Sequence, residues 1–187
     1  MKRGLPPFVF VSGGCRSGKS AYAQSLAERY AGQAPALFLA TAHLNDEETR
    51  ARVAAHRLAR GPLWRTLEPL PGGEAQLWRK LPALARGAGA VLLDSLTLWL
   101  SAAMENILDA EALGRSSSRL LLALRGLPCP VILVSDELGL GLAPADSGSR
   151  FFRDALGLAN QQAARLATQA VLIISGLPLL LKGDSLP

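Results

Sequence analysis

One segment of the chain has the residue types and spacing of a phosphate-binding loop. It reads Gly13-Gly14-Cys15-Arg16-Ser17-Gly18-Lys19-Ser20 and matches the pattern G-x-x-x-x-G-K-[ST] without a gap. Glycines let the backbone curl so that successive N–H groups point at phosphate oxygens, and the N-terminus of the following helix adds partial positive charge. We predict a nucleoside triphosphate site, with Lys19 at the β- and γ-phosphates and Ser20 as a ligand of Mg²⁺. An ordinary glycine-rich turn is the alternative.

A carboxylate follows an apolar run later in the chain. Asp94 closes the segment Ala90-Val91-Leu92-Leu93. P-loop enzymes place the acidic group that holds Mg²⁺, directly or through water, at the carboxyl end of such a strand. The alternative is that Asp94 caps the helix predicted to begin near Leu96. The two roles are compatible, and we favour the metal role.

The chain has two histidines, and one of them lies among arginines. His56 has Arg52 four residues before it and Arg60 four residues after it, so the three side chains share one face of a predicted helix. Two guanidinium groups disfavour protonation of the imidazole, and a neutral imidazole beside a bound triphosphate is a possible nucleophile at phosphorus. A solvated histidine with arginine neighbours is the alternative, and the residues alone favour it.

The elements that must position these residues alternate between strand and helix. Apolar runs predict strands at 8–12, 36–41, 89–94, 131–135 and 170–175, with a short extended piece at 64–68. Helices are predicted at 17–31, 46–60, 74–86, 96 to about 106, 111–124 and 150–168. In the first helix Ala21, Leu26 and Ala27 can face the sheet, and in the third Pro82 is expected to break or kink the helix. Residues 139–148 are predicted to be an exposed loop.

This alternation indicates an α/β fold with a mainly parallel sheet covered by helices on both faces. The 187 residues suit one domain over 1–187, and 49% apolar residues are enough for a full core. The 20 basic and 15 acidic residues are scattered rather than banded, so we do not expect nucleic acid as a partner. No apolar run reaches the roughly 18 residues of a membrane span. Cys15 and Cys129 are too few for a disulfide framework or a zinc site, and we expect a cytoplasmic protein.

With these motifs in place, the sequence resembles the bifunctional adenosylcobinamide kinase / adenosylcobinamide-phosphate guanylyltransferase family over nearly its whole length. The resemblance rests on the phosphate loop and on A-T-A at 40–42, D-E-E-M-x-x-R-I-x-x-H-R at 46–57, W-x-T-x-E at 64–68, L-L-D-x-L-T-x-W at 92–99, N-E-V-G-x-G-x-x-P at 136–144, F-R-D-x-x-G-x-x-N-Q at 152–161 and G-x-P-x-x-L-K at 176–182. Three positions depart from the usual residues: Cys15 stands for a small residue such as Ala, Thr49 for Met and Asp136 for Asn.

The resemblance implies a RecA-like P-loop fold and two reactions. Adenosylcobinamide, a corrinoid, is phosphorylated by a nucleoside triphosphate, and GMP from GTP is then transferred to that phosphate. His56 matches the guanylylated nucleophile of the family. ATP and GTP are the implied substrates, and a homotrimer is the implied assembly. The implied nucleotide contacts are residues 13–20 with Thr41, Ala42, His43, Arg57, Leu58, Ala59, Arg60, Glu68 and Asp94.

Other functions fit the residues less well. A monofunctional P-loop small-molecule kinase is the main alternative, but it leaves His56 and its arginine neighbours without a task. A switch GTPase is expected to carry an N-K-x-D motif, which the sequence lacks. A DNA-acting RecA-like ATPase is expected to have a basic groove with aromatic side chains, and only 5% of the residues are aromatic.

Overall fold

A seven-stranded sheet organises the computed structural model, which describes residues 5–41, 61–67, 74–107 and 109–187. Within that part of the chain, the strands lie in the order β3-β2-β4-β5-β1-β6-β7. All neighbouring pairs are parallel except β6 and β7. The strands are β1 (Phe8–Gly13), β2 (Ala36–Ala40), β3 (Trp64–Leu67), β4 (Ala90–Asp94), β5 (Val131–Asp136), β6 (Gln169–Ile174) and β7 (Leu177–Lys182).

Helices cover both faces of this sheet, as the alternating pattern predicts. They are α1 (Lys19–Ala31), α2 (Glu74–Leu84), α3 (Leu96–Met104), α4 (Ala110–Arg125) and α5 (Ser147–Leu166). Successive residues of β1 point to opposite faces, so Phe8 and Phe10 pack in one core while Val9 packs in the other. The Val9 core contains residues of α1, and the Phe8 core contains residues of α2 to α5. The predicted α/β class and the mainly parallel sheet are confirmed.

Two details of the predicted helices are wrong. Ala21 is exposed, and Ala23 instead lies with Leu26 and Ala27 against the sheet, because residues three and four apart share a helix face and Ala21 is five residues before Leu26. Pro82 does not break α2. It lies two residues before the helix ends, so its missing N–H removes one hydrogen bond from the last turn, and the Ala85 N–H still donates to the Leu81 carbonyl at 2.9 Å.

The last strand was not predicted at all. β7 runs antiparallel to β6 after a two-residue turn in which Ser175 and Gly176 have φ of 51° and 83°. Positive φ at both positions is typical of the type I′ turn that joins antiparallel strands. Pro178 fits within β7 because this strand is at the edge of the sheet, where proline is tolerated.

Other predictions can be compared only where the chain is described. The loop predicted at 139–148 is exposed through Asp146, after which α5 begins at Ser147. The helix predicted at 46–60 lies outside the described residues. Of the helices in the described ranges, none has both the length and the apolar character that crossing a bilayer requires.

Burial raises the pKa of the Cys129 thiol, which favours its protonated, unreactive form.

A close backbone approach at Gly89 gives a test of this packing. A Cβ built on Gly89 would lie 2.6 Å from the Ala31 carbonyl oxygen at the end of α1, so Gly89→Ala should lower the free energy of unfolding by about 1–3 kcal/mol. Gly114 lies inside α4 with nothing within 4 Å of such a Cβ, and Gly114→Ala should raise it by about 0.5–1 kcal/mol. Urea unfolding of both variants measures the difference. Equal effects of the two substitutions would contradict the packing of α1 against the start of β4.

Candidate active site

The phosphate loop leaves the sheet from its interior. It connects β1, which is paired on both sides, to the first residue of α1. Gly14, Cys15, Arg16 and Gly18 are exposed along it. The loop is therefore an open rim at the carboxyl ends of the parallel strands, where open α/β sheets bind their ligands.

Two glycines of this loop are required by its geometry. Gly18 has a φ of 95°, a left-handed conformation that is strained for any other residue. A Cβ on Gly13 would lie 2.6 Å from the Ser17 Oγ and 2.7 Å from the Ile173 carbonyl oxygen. Gly13 is thus required by a close contact, and Gly18 is required by its backbone angle.

Hydrogen bonds hold the curl of the loop. The Ser17 N–H donates to the Gly14 carbonyl at 3.2 Å, and the Lys19 Nζ donates to the same oxygen at 3.1 Å. From the turn between β6 and β7, the Gly176 N–H donates to the Ser17 carbonyl at 2.9 Å. The phosphate loop is therefore braced both by its own residues and by the β6–β7 hairpin.

The start of α1 is suited to an anion. Its N-cap, Gly18, contributes no side-chain cap, and the first turn contains no acidic residue. The first N–H groups of a helix have no partner within the helix, and the macrodipole places partial positive charge there. Together with Lys19 and the partly exposed Ser20 in the first turn, these groups can bind phosphate oxygens.

Asp94 lies at the same edge of the sheet, but not on the strand next to the phosphate loop. β5 lies between β4 and β1, and Asp94 is in register with Ala40 of β2 and Val134 of β5. The N-cap of α3 is Ser95 and not Asp94, since the Ser95 Oγ accepts the Leu98 N–H at 3.2 Å. The capping alternative for Asp94 is therefore wrong.

Thr41 is tied to the backbone beside Asp94. It is buried, and its Oγ1 donates to the Ser95 carbonyl and accepts the Ser95 N–H, both at 2.8 Å. Among the residues predicted to contact nucleotide, Thr41 therefore has a structural task at the β4–α3 junction. Its hydroxyl holds the end of β2 to the turn that follows Asp94.

A second carboxylate, Asp136, is closer to the phosphate loop and was not predicted as a site residue. Asp136 ends β5, in register with Gly13 of β1, and its Oδ1 lies 2.6 Å from the Lys19 Nζ. An apolar strand that ends in aspartate was the pattern that singled out Asp94, and residues 131–136 repeat it. The same criterion applied to β5 would have found Asp136.

Backbone hydrogen bonds fix the position of Asp136. Its N–H donates to the Thr97 Oγ1 at 2.8 Å, and its carbonyl accepts the Asn160 Nδ2 at 3.0 Å. Asn160 is itself held, since its Oδ1 accepts the Ser135 Oγ hydroxyl at 2.6 Å, and both side chains are buried. Residues of α3 and α5 thus meet at the end of β5.

The remaining predicted contacts cannot be located. Residues Ala42, His43, His56, Arg57, Leu58, Ala59, Arg60 and Glu68 lie outside the described residues. Trp64, from the W-x-T-x-E block, begins β3, and its Nε1 donates to the Glu28 Oε1 on α1 at 3.0 Å. This bond joins β3 to the helix that starts at the phosphate loop.

Oxygen donors at this edge fit a magnesium ion. Ser20 supplies a hydroxyl and Asp94 a carboxylate, and Mg²⁺ prefers such hard oxygen ligands. In the described ranges, no group of three or more His, Cys, Asp or Glu side chains is placed to hold a metal. This donor set suits an ion that takes its other ligands from substrate phosphates and water, which is the usual way that proteins bind Mg²⁺.

Comparison with known proteins agrees with this geometry. The fold is similar to that of a KaiC-like protein from Pyrococcus horikoshii, with a TM-score of 0.53 and 12% identity, covering 89% of this chain and 70% of that one. Two curated relatives are both named as bifunctional adenosylcobalamin biosynthesis proteins. CobP of Pseudomonas aeruginosa is 39% identical over 94% of this chain and 98% of its own length, and CobU of Salmonella typhimurium is 33% identical over 93% and 99%.

The family assignment rests on more than the phosphate loop. The family model described as cobinamide kinase / cobinamide phosphate guanyltransferase matches residues 9–181, which includes every block that carried the resemblance except the final residue of the last one, Lys182. The fold is that of a RecA-like P-loop protein, as the resemblance implied. This chain belongs to the cobinamide kinase / cobinamide phosphate guanyltransferase family.

Proposed function

We propose that this chain catalyses two consecutive reactions on a corrinoid. In the first, the γ-phosphoryl group of a nucleoside triphosphate is transferred to the aminopropanol hydroxyl of adenosylcobinamide. In the second, GMP is transferred from GTP to that new phosphate, which gives adenosylcobinamide-GDP and pyrophosphate. The observation that carries the proposal is the family match over residues 9–181, combined with a phosphate loop whose lysine lies at the open edge of the sheet.

The phosphate loop supports the shared part of both reactions. The N–H groups at the start of α1 and the ammonium group of Lys19 offset the charge of the triphosphate, and charge on its oxygens increases during either transfer. We assign the nucleotide contacts to residues 13–20 and to Thr41, Ala42, His43, Arg57, Leu58, Ala59, Arg60, Glu68 and Asp94. Ser20 and Asp94 would hold Mg²⁺, which neutralises phosphate charge when it is bound.

His56 is assigned to the second reaction from the sequence pattern. Its imidazole attacks the α-phosphorus of GTP and forms a phosphorus–nitrogen bond while pyrophosphate leaves. The acceptor phosphate then takes GMP and regenerates the ring. Arg52 and Arg60 favour the neutral imidazole, and Arg57 or Arg60 offsets the charge of pyrophosphate. Two displacements suit a bulky acceptor, because donor and acceptor need not be held in line together.

The assembly follows from the resemblance, and the location and the absence of a nucleic-acid partner follow from composition and charge. We propose a cytoplasmic homotrimer without nucleic acid as a partner. The outward face of β7 supports an assembly, since Leu177, Leu179 and Leu181 are exposed there by 72%, 52% and 57%. A contiguous apolar face of this kind is typical of a surface that another chain covers.

Lys19→Ala tests whether one loop serves both reactions. We expect kcat to fall by more than about tenfold in the kinase and the guanylyl transfer assays, a loss above ~1.4 kcal/mol, because Lys19 is the side chain the motif places on the β- and γ-phosphates. Lys80→Ala, which removes an exposed lysine of α2, is the control and should retain both rates. If Lys19→Ala keeps more than about a tenth of kcat in either reaction, the loop is not the shared phosphate site.

Asp94→Asn tests the metal assignment. The substitution keeps the size of the side chain and removes its charge, so the Mg²⁺ concentration for half-maximal rate should rise roughly tenfold or more. The melting temperature should change little, because Ser95 rather than Asp94 caps α3. Asp184→Asn is the control, since Asp184 lies with Leu5 and Pro7 at the opposite end of β1. A large loss of stability with unchanged metal dependence would identify Asp94 as a structural residue.

His56→Ala tests the covalent step. The variant should lose guanylyl transfer and the label from radioactive GTP on the denatured chain, while kinase activity with ATP stays measurable because the phosphate loop is intact. The wild-type label should be lost in acid and survive in alkali, as a phosphorus–nitrogen bond does.

The second histidine of the chain provides the matched variant. His43→Ala should keep the covalent label at saturating GTP. Label on the His56→Ala chain, or a label stable in acid, would assign the nucleophile to another residue. An unlabelled wild-type chain that still phosphorylates adenosylcobinamide would favour the monofunctional kinase.

A further inference from the structure

The ammonium group of Lys19 has two protein partners in the structure. It donates to the Gly14 carbonyl at 3.1 Å and lies 2.6 Å from the Asp136 Oδ1. Both side chains of the ion pair are largely enclosed, with 12% of Lys19 and 24% of Asp136 exposed. A charge-assisted hydrogen bond of this kind is stronger than one between neutral groups.

The backbone of Asp136 is held in place by hydrogen bonds, so its carboxylate can follow the lysine only by rotation of the side chain. Its backbone N–H and carbonyl are bonded to Thr97 of α3 and Asn160 of α5. Asn160 is buried and bonded in turn to Ser135 of the same strand. When Lys19 moves toward a ligand, the backbone of Asp136 does not move with it, so the short reach of the aspartate side chain limits how far the ion pair can follow.

The ammonium group of Lys19 has too few N–H donors to bond both protein partners and two phosphates at once. An ammonium group has three N–H donors, and the Gly14 carbonyl and the Asp136 carboxylate take two of them. Contact with both the β- and γ-phosphates needs two donors, so at least one protein partner must be released. The carboxylate is the partner that the phosphates repel, and its bond to Lys19 is the one that gives way.

We propose that Asp136 sets the affinity of the active site for nucleoside di- and triphosphates by competing with their phosphate oxygens for Lys19. This inference rests on the proposed function insofar as Lys19 binds the β- and γ-phosphates there. Binding requires that the ion pair open, and the apparent dissociation constant rises by the inverse of the open fraction. The same carboxylate takes the lysine back when the nucleoside diphosphate of the first reaction or the pyrophosphate of the second leaves.

Asp136→Asn removes the charge and keeps the shape. We expect isothermal titration calorimetry to give a dissociation constant for GTP and for ATP about tenfold lower than that of the wild type, which is ~1.4 kcal/mol. GMP, which has no β-phosphate to reach Lys19, should bind with an unchanged constant in a competition assay. The amide oxygen that Asp136→Asn introduces is still an acceptor for Lys19. Asp136→Ala removes this acceptor as well, and it should tighten GTP binding at least as much.

The neighbouring acid provides the matched control. Glu137 follows Asp136 directly, but its Oε1 accepts the Gly139 N–H at 2.9 Å and makes no ion pair with Lys19 among the described contacts. Glu137→Gln removes the same charge from the same segment and should change the GTP constant by less than about twofold. An equal gain in both variants would mean a general charge effect and would overturn the competition.

A double-mutant cycle separates the competition from the proposed function. In a Lys19→Ala background, Asp136→Asn should no longer strengthen GTP binding, because the shared partner is gone. If it strengthens binding equally there, the carboxylate acts on the phosphates directly and the proposal is wrong. If Lys19→Ala weakens binding but Asp136→Asn in the wild type does not strengthen it, the competition alone fails. If Lys19→Ala leaves binding unchanged, the phosphate role of Lys19 fails and the competition fails with it.

Discussion

The position of β1 inside the sheet is the constraint on which the active site depends. β1 is bonded to β5 on one side and to β6 on the other, so the loop that follows it opens at the middle of the sheet edge. Each neighbour contributes to the loop: β5 brings Asp136 to Lys19, and β6 brings the Ile173 carbonyl so close to Gly13 that no side chain fits there. A phosphate loop that followed an edge strand would have a neighbouring strand on one side only.

Two aspartates at this edge of the sheet have different surroundings. Asp94 lies two strands away from β1, beside a turn that Thr41 and Ser95 stabilise through paired hydrogen bonds. Asp136 lies on the adjacent strand and contacts the loop lysine directly. The inserted strand β5 thus separates a carboxylate suited to a metal from one suited to a lysine. Both depend on α3, which begins beside Asp94 and contributes Thr97 to Asp136.

Local patterns predicted most of this fold, because apolar strands and glycine-rich turns are decided by neighbouring residues. The phosphate loop, the central strands and the position of Asp94 at a strand end all follow from such patterns. The cap at Ser95 is also a local feature, because serine before a helix start accepts an N–H of the first turn. The pairing of Lys19 with Asp136 depends on strand order, which a single sequence does not contain. β7 was not predicted, and it contains Pro178, which a strand tolerates at the edge of a sheet; edge position is also a property of the whole sheet. The family resemblance added His56, which residue spacing alone did not favour.

The hydrogen bond from Gly176 to Ser17 has a consequence for how the protein is made. The phosphate motif ends at Ser20, but its loop is braced by the turn at Ser175 and Gly176, which is synthesised much later. The base of β1 is equally remote from its partner, since Phe8 is bonded to Thr168 across 160 residues. Chains fold from the N-terminus as they emerge, yet this site cannot close until β6 and β7 have been translated. A nascent chain therefore carries the motif long before it carries the hairpin that braces the loop.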